Sequence, residues 1–240
     1  MATTSEQRSK NRLLAALPRE EYDKLEPNLE RVSLSLGEIL FEPPDPIRKA
    51  YFPTSSIISF MAELPNGDSV EVGLAGKEGL VGVDVILGID KASKVAMVQG
   101  AGDALKIAVP ALKEAFNHGG KLQQYLLQFT HALMSQISTS VLCNVRHHID
   151  VRLARWLLMY CDGFGAEEFY LTHEFTANLL GVRRASISVV AKQLQDEGLI
   201  TYNRGHFRVL NREGLEAKTC ECYPVVKEEF DSLYRDTTPG

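Results

Sequence analysis

The 240-residue sequence predicts an α+β protein in three parts: an N-terminal antiparallel β-roll of the jelly-roll kind, a long helix, and a C-terminal winged helix-turn-helix. Three observations carry this reading. Between residues 34 and 109, short apolar runs are punctuated by Gly, Pro, Asn and Asp, the texture of strands joined by tight turns. Residues 121–145 contain neither glycine nor proline and repeat apolar side chains at helical spacing. Residues 171–210 read as two short helices meeting at Gly181, followed by a small hairpin. The boundaries follow: 1–119 for the roll, 120–149 for the long helix and its hinge, and 150–240 for the winged helix.

In chain order, residues 11–31 look helical and amphipathic through Leu13, Leu14, Leu17, Tyr22, Leu25 and Leu29, with Pro18 opening a second short helix. Strand-like runs then centre on Ile39, Leu40 and Phe41, on Tyr51 and Phe52, and on residues 57–61, 70–74, 94–99 and 104–109. Between two of them, Pro65-Asn66-Gly67-Asp68 is a hairpin turn, because Asn-Gly takes positive φ at low cost. Gly76, Gly79, Gly82 and Gly88 mark a glycine-rich segment with room for a short helix. Pro110 opens another helix that runs through Phe116.

On the long helix Leu122, Leu126, Phe129, Leu133 and Ile137 follow one another at spacings of four, three, four and four, close to the pattern of a parallel two-helix seam. That pattern predicts a homodimer, with Gln136, Ser140 and Asn144 as polar residues that fix register. His147-His148-Ile149-Asp150 marks a joint to the next helix, residues 151–160, in which Val151, Leu153, Ala154, Trp156, Leu157 and Leu158 are mostly core. Thr172 is the expected N-cap of the following helix, and Gly181 the residue able to turn the chain with positive φ. At about 100° per residue, Ile187, Val190, Ala191 and Leu194 face inward on the next helix. Arg184, Ala185, Ser188, Val189 and Lys192 face outward, with the cation at the end where a recognition helix meets base edges. Residues 203–206 turn the wing, and residues 214–235 form one or two terminal helices.

A net charge of −5 would disfavour nucleic acid if it were spread evenly. It is not. Residues 183–212 hold Arg183, Arg184, Lys192, Arg204, Arg208 and Arg212 against Asp196 and Glu197, with His206 beside them. No apolar run approaches the roughly 18–20 residues needed to span a bilayer, and the first residues lack a secretory pattern, so a cytoplasmic protein without a membrane partner is expected. Cys143, Cys161, Cys220 and Cys222 are expected as free thiols. Adjacent histidines on a helix diverge by about 100°, so His147 and His148 do not share one ion, although Cys143 and His147 are better placed. Neither a metal nor an enzymatic activity is expected, since no Ser-His-Asp order or phosphate loop is present.

The order of parts, and several motifs, resemble the Crp–Fnr superfamily of bacterial transcription regulators over nearly the whole chain. Leu36-Gly37-Glu38-Ile39-Leu40-Phe41 with Asp45-Pro46 and Tyr51-Phe52 resembles the opening strands of its cyclic-nucleotide-binding-like roll. Gly181-Val182-Arg183-Arg184-Ala185-Ser186-Ile187-Ser188 falls on the family's turn and recognition helix, and Leu194-Gln195-Asp196-Glu197-Gly198-Leu199-Ile200 on its exit into the wing. Cys220-Glu221-Cys222-Tyr223 is similar to an atypical subgroup with a degenerate nucleotide site. The resemblance implies RNA polymerase as a partner. The departures from it matter as well. The nucleotide cassette reads Leu80-Val81-Gly82-Val83-Asp84, and the family's Arg-Ser pair falls near Lys91-Ala92-Ser93-Lys94, where no arginine stands. A buried phosphate would lack its bidentate partner, so cyclic AMP is not expected. Gly82, Val83, Asp84, Ser93 and Lys94 remain candidate effector positions. No cysteine precedes Cys143, so the family's N-terminal iron–sulfur cluster is not expected. Ala185 and Val189 replace a glutamate and an arginine common in the family, which implies a different DNA half-site.

The expectation is a homodimeric regulator that reads double-stranded DNA through Thr172, Arg183, Arg184, Ala185, Ser186, Ser188, Val189, Lys192, Arg204, His206 and Arg208. The alternative is a small-ligand or metal-binding sensor whose C-terminal helices serve protein interaction. Its candidate ligands are His147, His148 and Asp150, with Cys143 or Cys161.

Overall fold

Strands this short satisfy their backbone groups only by pairing with neighbours, and every pairing in the computed structural model, which describes residues 8 and 10–235, is antiparallel. The roll is built from β1 (Glu30–Leu34), β2 (Ile39–Phe41), β3 (Lys49–Pro53), β4 (Ile57–Glu63), β5 (Ser69–Ala75), β6 (Val95–Gly100) and β7 (Gly102–Ala108). They form two sheets, ordered β1-β7-β3 and β2-β6-β4-β5. Phe52, Ile57, Ile58, Leu80 and Leu105 are fully buried in the core. The Asn-Gly hairpin closes β4 onto β5 with Gly67 at φ 89°. A 3₁₀ turn at Val83–Leu87 occupies the glycine-rich segment.

Two short helices, α1 (Arg12–Ala16) and α2 (Arg19–Leu25), precede the roll. The helical reading of residues 11–31 extends too far, because Glu30 already pairs with Lys106 in the sheet. Buried Asn11 both caps α1 and ties it to the roll, donating to the carbonyls of Pro53 (2.9 Å) and Gly79 (3.0 Å).

Helix α3 (Val109–Asn117) leads into the long α4 (Gly120–Arg146). The orphan amides at the start of α4 are satisfied from a distance: Glu21 on α2 accepts from Lys121 N–H (3.0 Å) and Leu122 N–H (2.9 Å). The expected dimer seam is corrected here. Leu122, Leu126, Phe129 and Leu133 are buried within the chain itself, and Ile137 packs against the same core. The Phe129 ring lies where a Cβ on Gly79 would stand 1.9 Å away, so this stripe is pressed into the roll, and apart from half-buried Ile137 it is covered by its own chain. The polar residues of the stripe are also used internally. Gln136 accepts from Leu74 N–H (2.8 Å), Ser140 from Arg155 (3.3 Å) and Asn144 from Arg152 (3.1 Å).

Helix α5 (Ile149–Phe164) docks on the roll through a contact only glycine permits: a Cβ on Gly76 would sit 2.3 Å from the Gly163 carbonyl oxygen. Tyr160 donates to the Gln99 carbonyl (3.3 Å) and the Trp156 indole to Glu71 (2.7 Å). Glu71 on β5 also accepts from the Ser59 hydroxyl. Burial pushes its pKa up to about 7, against the opposing pull of those two hydrogen bonds and of Arg155. A carboxyl whose folded pKa lies above its unfolded value holds its proton longer when folded, so its contribution to stability falls as pH rises between about 4.5 and 7. Glu71→Gln is therefore expected to be worth roughly 1–3 kcal/mol more, relative to wild type, at pH 8 than at pH 5. Thermal unfolding of both proteins across that range checks this; a constant difference between them would contradict it. No helix among the described residues is long and apolar enough to cross a membrane.

Candidate nucleic-acid interface

Beyond α5, a strand that sequence reasoning missed, β8 (Glu168–Tyr170), pairs with β10 (His206–Val209), which pairs with β9 (Ile200–Asn203). Its three residues alternate exposed and buried over too short a span to stand out. This small sheet supports α6 (His173–Leu180) and α7 (Arg184–Asp196). The Thr172 hydroxyl accepts from Phe175 N–H (3.2 Å), so it is committed to capping α6 and positions the motif. Gly181 turns the chain at φ 61°. The inward face of α7 is as the spacing predicts, with Ile187, Val190, Ala191 and Leu194 buried.

The opposite face of α7 presents Arg184, Ala185, Val189 and Lys192 to solvent, with Ser186 and Ser188 half-buried. Ser188 is drawn inward, donating to the Arg184 carbonyl (3.1 Å) and lying 3.0 Å from His173 Nδ1. That histidine went unnoticed in the sequence. It stacks on Tyr202 of the wing with ring centroids 3.8 Å apart, and so ties α6 to β9. Burial, followed by the nearby Arg184 charge, lowers its pKa beside the reading face.

The cations divide into two sets. Arg183, Arg184 and Arg204 make no ion pair among the described residues. Arg183 is the N-cap residue of α7 without a capping side-chain bond, which leaves the first amides of the helix and a guanidinium together for an anion. Arg204 and Gly205 form the two-residue tip of the wing, at φ 48° and 91°. His206 is exposed beside them. Lys192 pairs with Asp196 (3.0 Å), and Arg208 pairs with Glu168 (2.6 Å), so each is partly neutralised. Arg212, counted with the basic stretch in the sequence, is spent inside the domain: it binds Asp162, Glu167 (2.9 Å) and Glu216 (3.1 Å) and anchors α8 (Arg212–Ala217). A final helix, α9 (Cys222–Ser232), packs back on α4.

Of the candidate effector positions, Asp84, Ser93 and Lys94 come together, with Lys94 Nζ 3.8 Å from Asp84 and 3.1 Å from Ser93 Oγ. Gly82 and Val83 are buried, and Gly82 lies against Ala50. The one cation there already faces a carboxylate, a poor arrangement for a phosphate. Of the proposed metal ligands, Cys143 and His147 lie together, with their donor atoms close to those of Cys220 and Cys222. His148, Asp150 and Cys161 are not part of that group.

Residues 151–218 match the family model of the Crp-like helix-turn-helix domain. The chain is also similar in fold to several solved regulators. FixK2 from Bradyrhizobium japonicum aligns at 14% identity with a TM-score of 0.68, over 80% of this chain and 98% of its own. A Crp/Fnr-family regulator from Thermus thermophilus aligns at 20% identity with a TM-score of 0.63, over 81% and 98%. The c-di-GMP responsive regulator CLP from Xanthomonas campestris aligns at 16% identity with a TM-score of 0.60, over 80% and 99%. Comparison with curated protein sequences finds no match. The chain thus carries a match to the Crp-like helix-turn-helix domain in its C-terminal part, and as a whole it has the fold of these solved regulators.

Proposed function

We propose that this protein is a homodimeric, sequence-specific DNA-binding transcription regulator of the cytoplasm, with RNA polymerase as the machinery it influences and an effector other than cyclic AMP. The observation that carries the reading is the outward face of α7. A helix packed by Ile187, Val190, Ala191 and Leu194 leaves Arg184, Ala185 and Val189 accessible at the end that enters a major groove. Arg184 is the base-reading cation, suited to guanine, while Ala185 and Val189 meet thymine methyls. Arg183, Lys192, Arg204, His206 and Arg208 hold phosphates, with Ser186 and Ser188 at the margin of the contact. Arg183 and Arg204 contribute most, because their charges are not already opposed.

The dimer brings two such helices to successive major grooves roughly 34 Å apart on a near-palindromic site. The roll acts on them through α4 and α5, which bear directly on it at Phe129 and Gly163. Selection of bound sequences from random DNA, followed by salt titration, tests the proposal. If the four cations Arg183, Lys192, Arg204 and Arg208 each hold a phosphate on both half-sites, log K is expected to fall with log salt at a slope of roughly −7. Binding that is flat with salt, or a selection that yields no motif, would refute it.

A further inference from the structure

Outside the DNA-reading surface, three cysteines and a histidine meet at the joint between α4 and the end of the chain. Cys143 and His147 are one helical turn apart, so both side chains project from one face at the end of α4. Cys220 and Cys222 flank Glu221 where α8 passes into α9. The four donor atoms all lie within 4.8 Å of one another. Cys143 Sγ is 3.6 Å from Cys220 Sγ, and Cys222 Sγ is 3.8 Å from His147 Nδ1. These separations are too long for a disulfide, whose sulfurs stand about 2.05 Å apart. They match a tetrahedron with metal–sulfur bonds of about 2.3 Å, which has edges of roughly 3.8 Å.

We propose that Cys143, His147, Cys220 and Cys222 form a mononuclear Zn²⁺ site. Three features of the surroundings fit such a centre. The three cysteines are buried and, with Val151 against them, form a cluster separate from the main core, as a closed structural site would. His147 offers Nδ1 inward while Nε2 lies 3.5 Å from the Glu221 carboxylate, the carboxylate–histidine–metal arrangement that fixes a ligating ring. Binding releases three thiol protons to solvent and forms three Zn–S bonds and one Zn–N bond, with no change of oxidation state, leaving a single net negative charge. Arg155, buried and donating to Ser140 about one turn before Cys143 on α4 (3.3 Å), supplies a compensating positive charge nearby.

The ligands come from the last turn of α4 and from the loop into α9, and α9 packs back along α4. The ion therefore staples the long helix to the C-terminal end of the helix-turn-helix domain. The proposal does not depend on DNA binding, and its readout is the metal itself.

The test uses the full chain, purified reduced and without chelator. Mass-spectrometric metal analysis is expected to find about one zinc per chain, and X-ray absorption a shell of three sulfurs and one nitrogen. Glu221→Gln should weaken zinc binding by roughly tenfold, and Cys222→Ser by more than the 10–100-fold that loss of an outer partner costs. Cys161→Ser, outside the cluster, should leave the zinc content unchanged. Because a change at buried Cys143 can disturb folding, Co²⁺ titration of the wild-type chain supplies a second readout. Thiolate charge-transfer and tetrahedral ligand-field bands are expected, saturating at one equivalent. A folded, reduced protein that takes up neither ion overturns the proposal. So does an iron–sulfur chromophore, a different ligand shell, or zinc binding that survives Cys222→Ser.

Discussion

Arg184→Ala is expected to weaken binding to the selected operator by about 1–3 kcal/mol per half-site, roughly 5–150-fold, with a much smaller loss on unrelated DNA. The asymmetry follows from position. Arg184 stands at the first turn of α7, exposed and without an ion pair among the described residues, so it is free to fork onto a base. Arg183, one residue earlier, sits at the helix cap, where a guanidinium and free amides suit a phosphate. Arg183→Ala should therefore weaken all DNA by a similar factor and reduce the salt slope by about one for each phosphate released. Operator and random-duplex affinities, measured for both variants at two salt concentrations, separate the roles. Equal losses on both DNAs for Arg184→Ala would make it a phosphate contact and leave base reading to other residues. Fold loss does not confound the comparison, because the packing face of α7 is untouched.

The parts of the molecule legible in the sequence are those in which a local pattern and the tertiary packing agree. The inward face of α7, the Gly181 turn, the Asn-Gly hairpin and the strands of the roll all follow from spacing and turn chemistry. The parts that were not legible are those decided by what packs where. Leu122, Leu126, Phe129, Leu133 and Ile137 form a sound heptad stripe, and nothing in the helix alone says whether it meets a second chain or its own roll. Gly73 and Gly79 decide it, because their lack of a side chain lets the roll approach until Gln136 and Ile137 close on the first and Phe129 on the second. The cysteine cluster was hidden for the same reason. Cys143 and His147 are visible as a pair, but Cys220 and Cys222 lie some 75 residues away and join them only when α9 folds back. Arg212 shows the limit of counting charges: its local sequence is basic, while its neighbours in space are Asp162, Glu167 and Glu216.

If the heptad stripe is consumed by the roll, a dimer needs another face of α4, and the helix has one. Leu127, Met134, Val141 and Val145 are 46%, 61%, 59% and 76% exposed, unusual for apolar side chains in one row. With His131 and Ser138, also exposed, they alternate spacings of four and three along the helix, a second seam about 100° or more around from the first. Met134→Glu combined with Val141→Glu would set four carboxylates against one another across a parallel contact. The double variant is expected to be monomeric by light scattering, with unchanged helix content, because both side chains are mostly exposed. Its affinity for a two-half-site operator should fall on the order of 100-fold or more, since the second recognition helix no longer binds as part of the same molecule. Phe129→Ala is the contrasting change, expected to cost about 3–5 kcal/mol of folding stability by emptying the space against Gly79. Stability losses confined to Phe129→Ala and dimer loss confined to the glutamate pair would assign the two stripes separately. A double variant that stays dimeric would place the interface elsewhere, and the exposed row would then need another explanation.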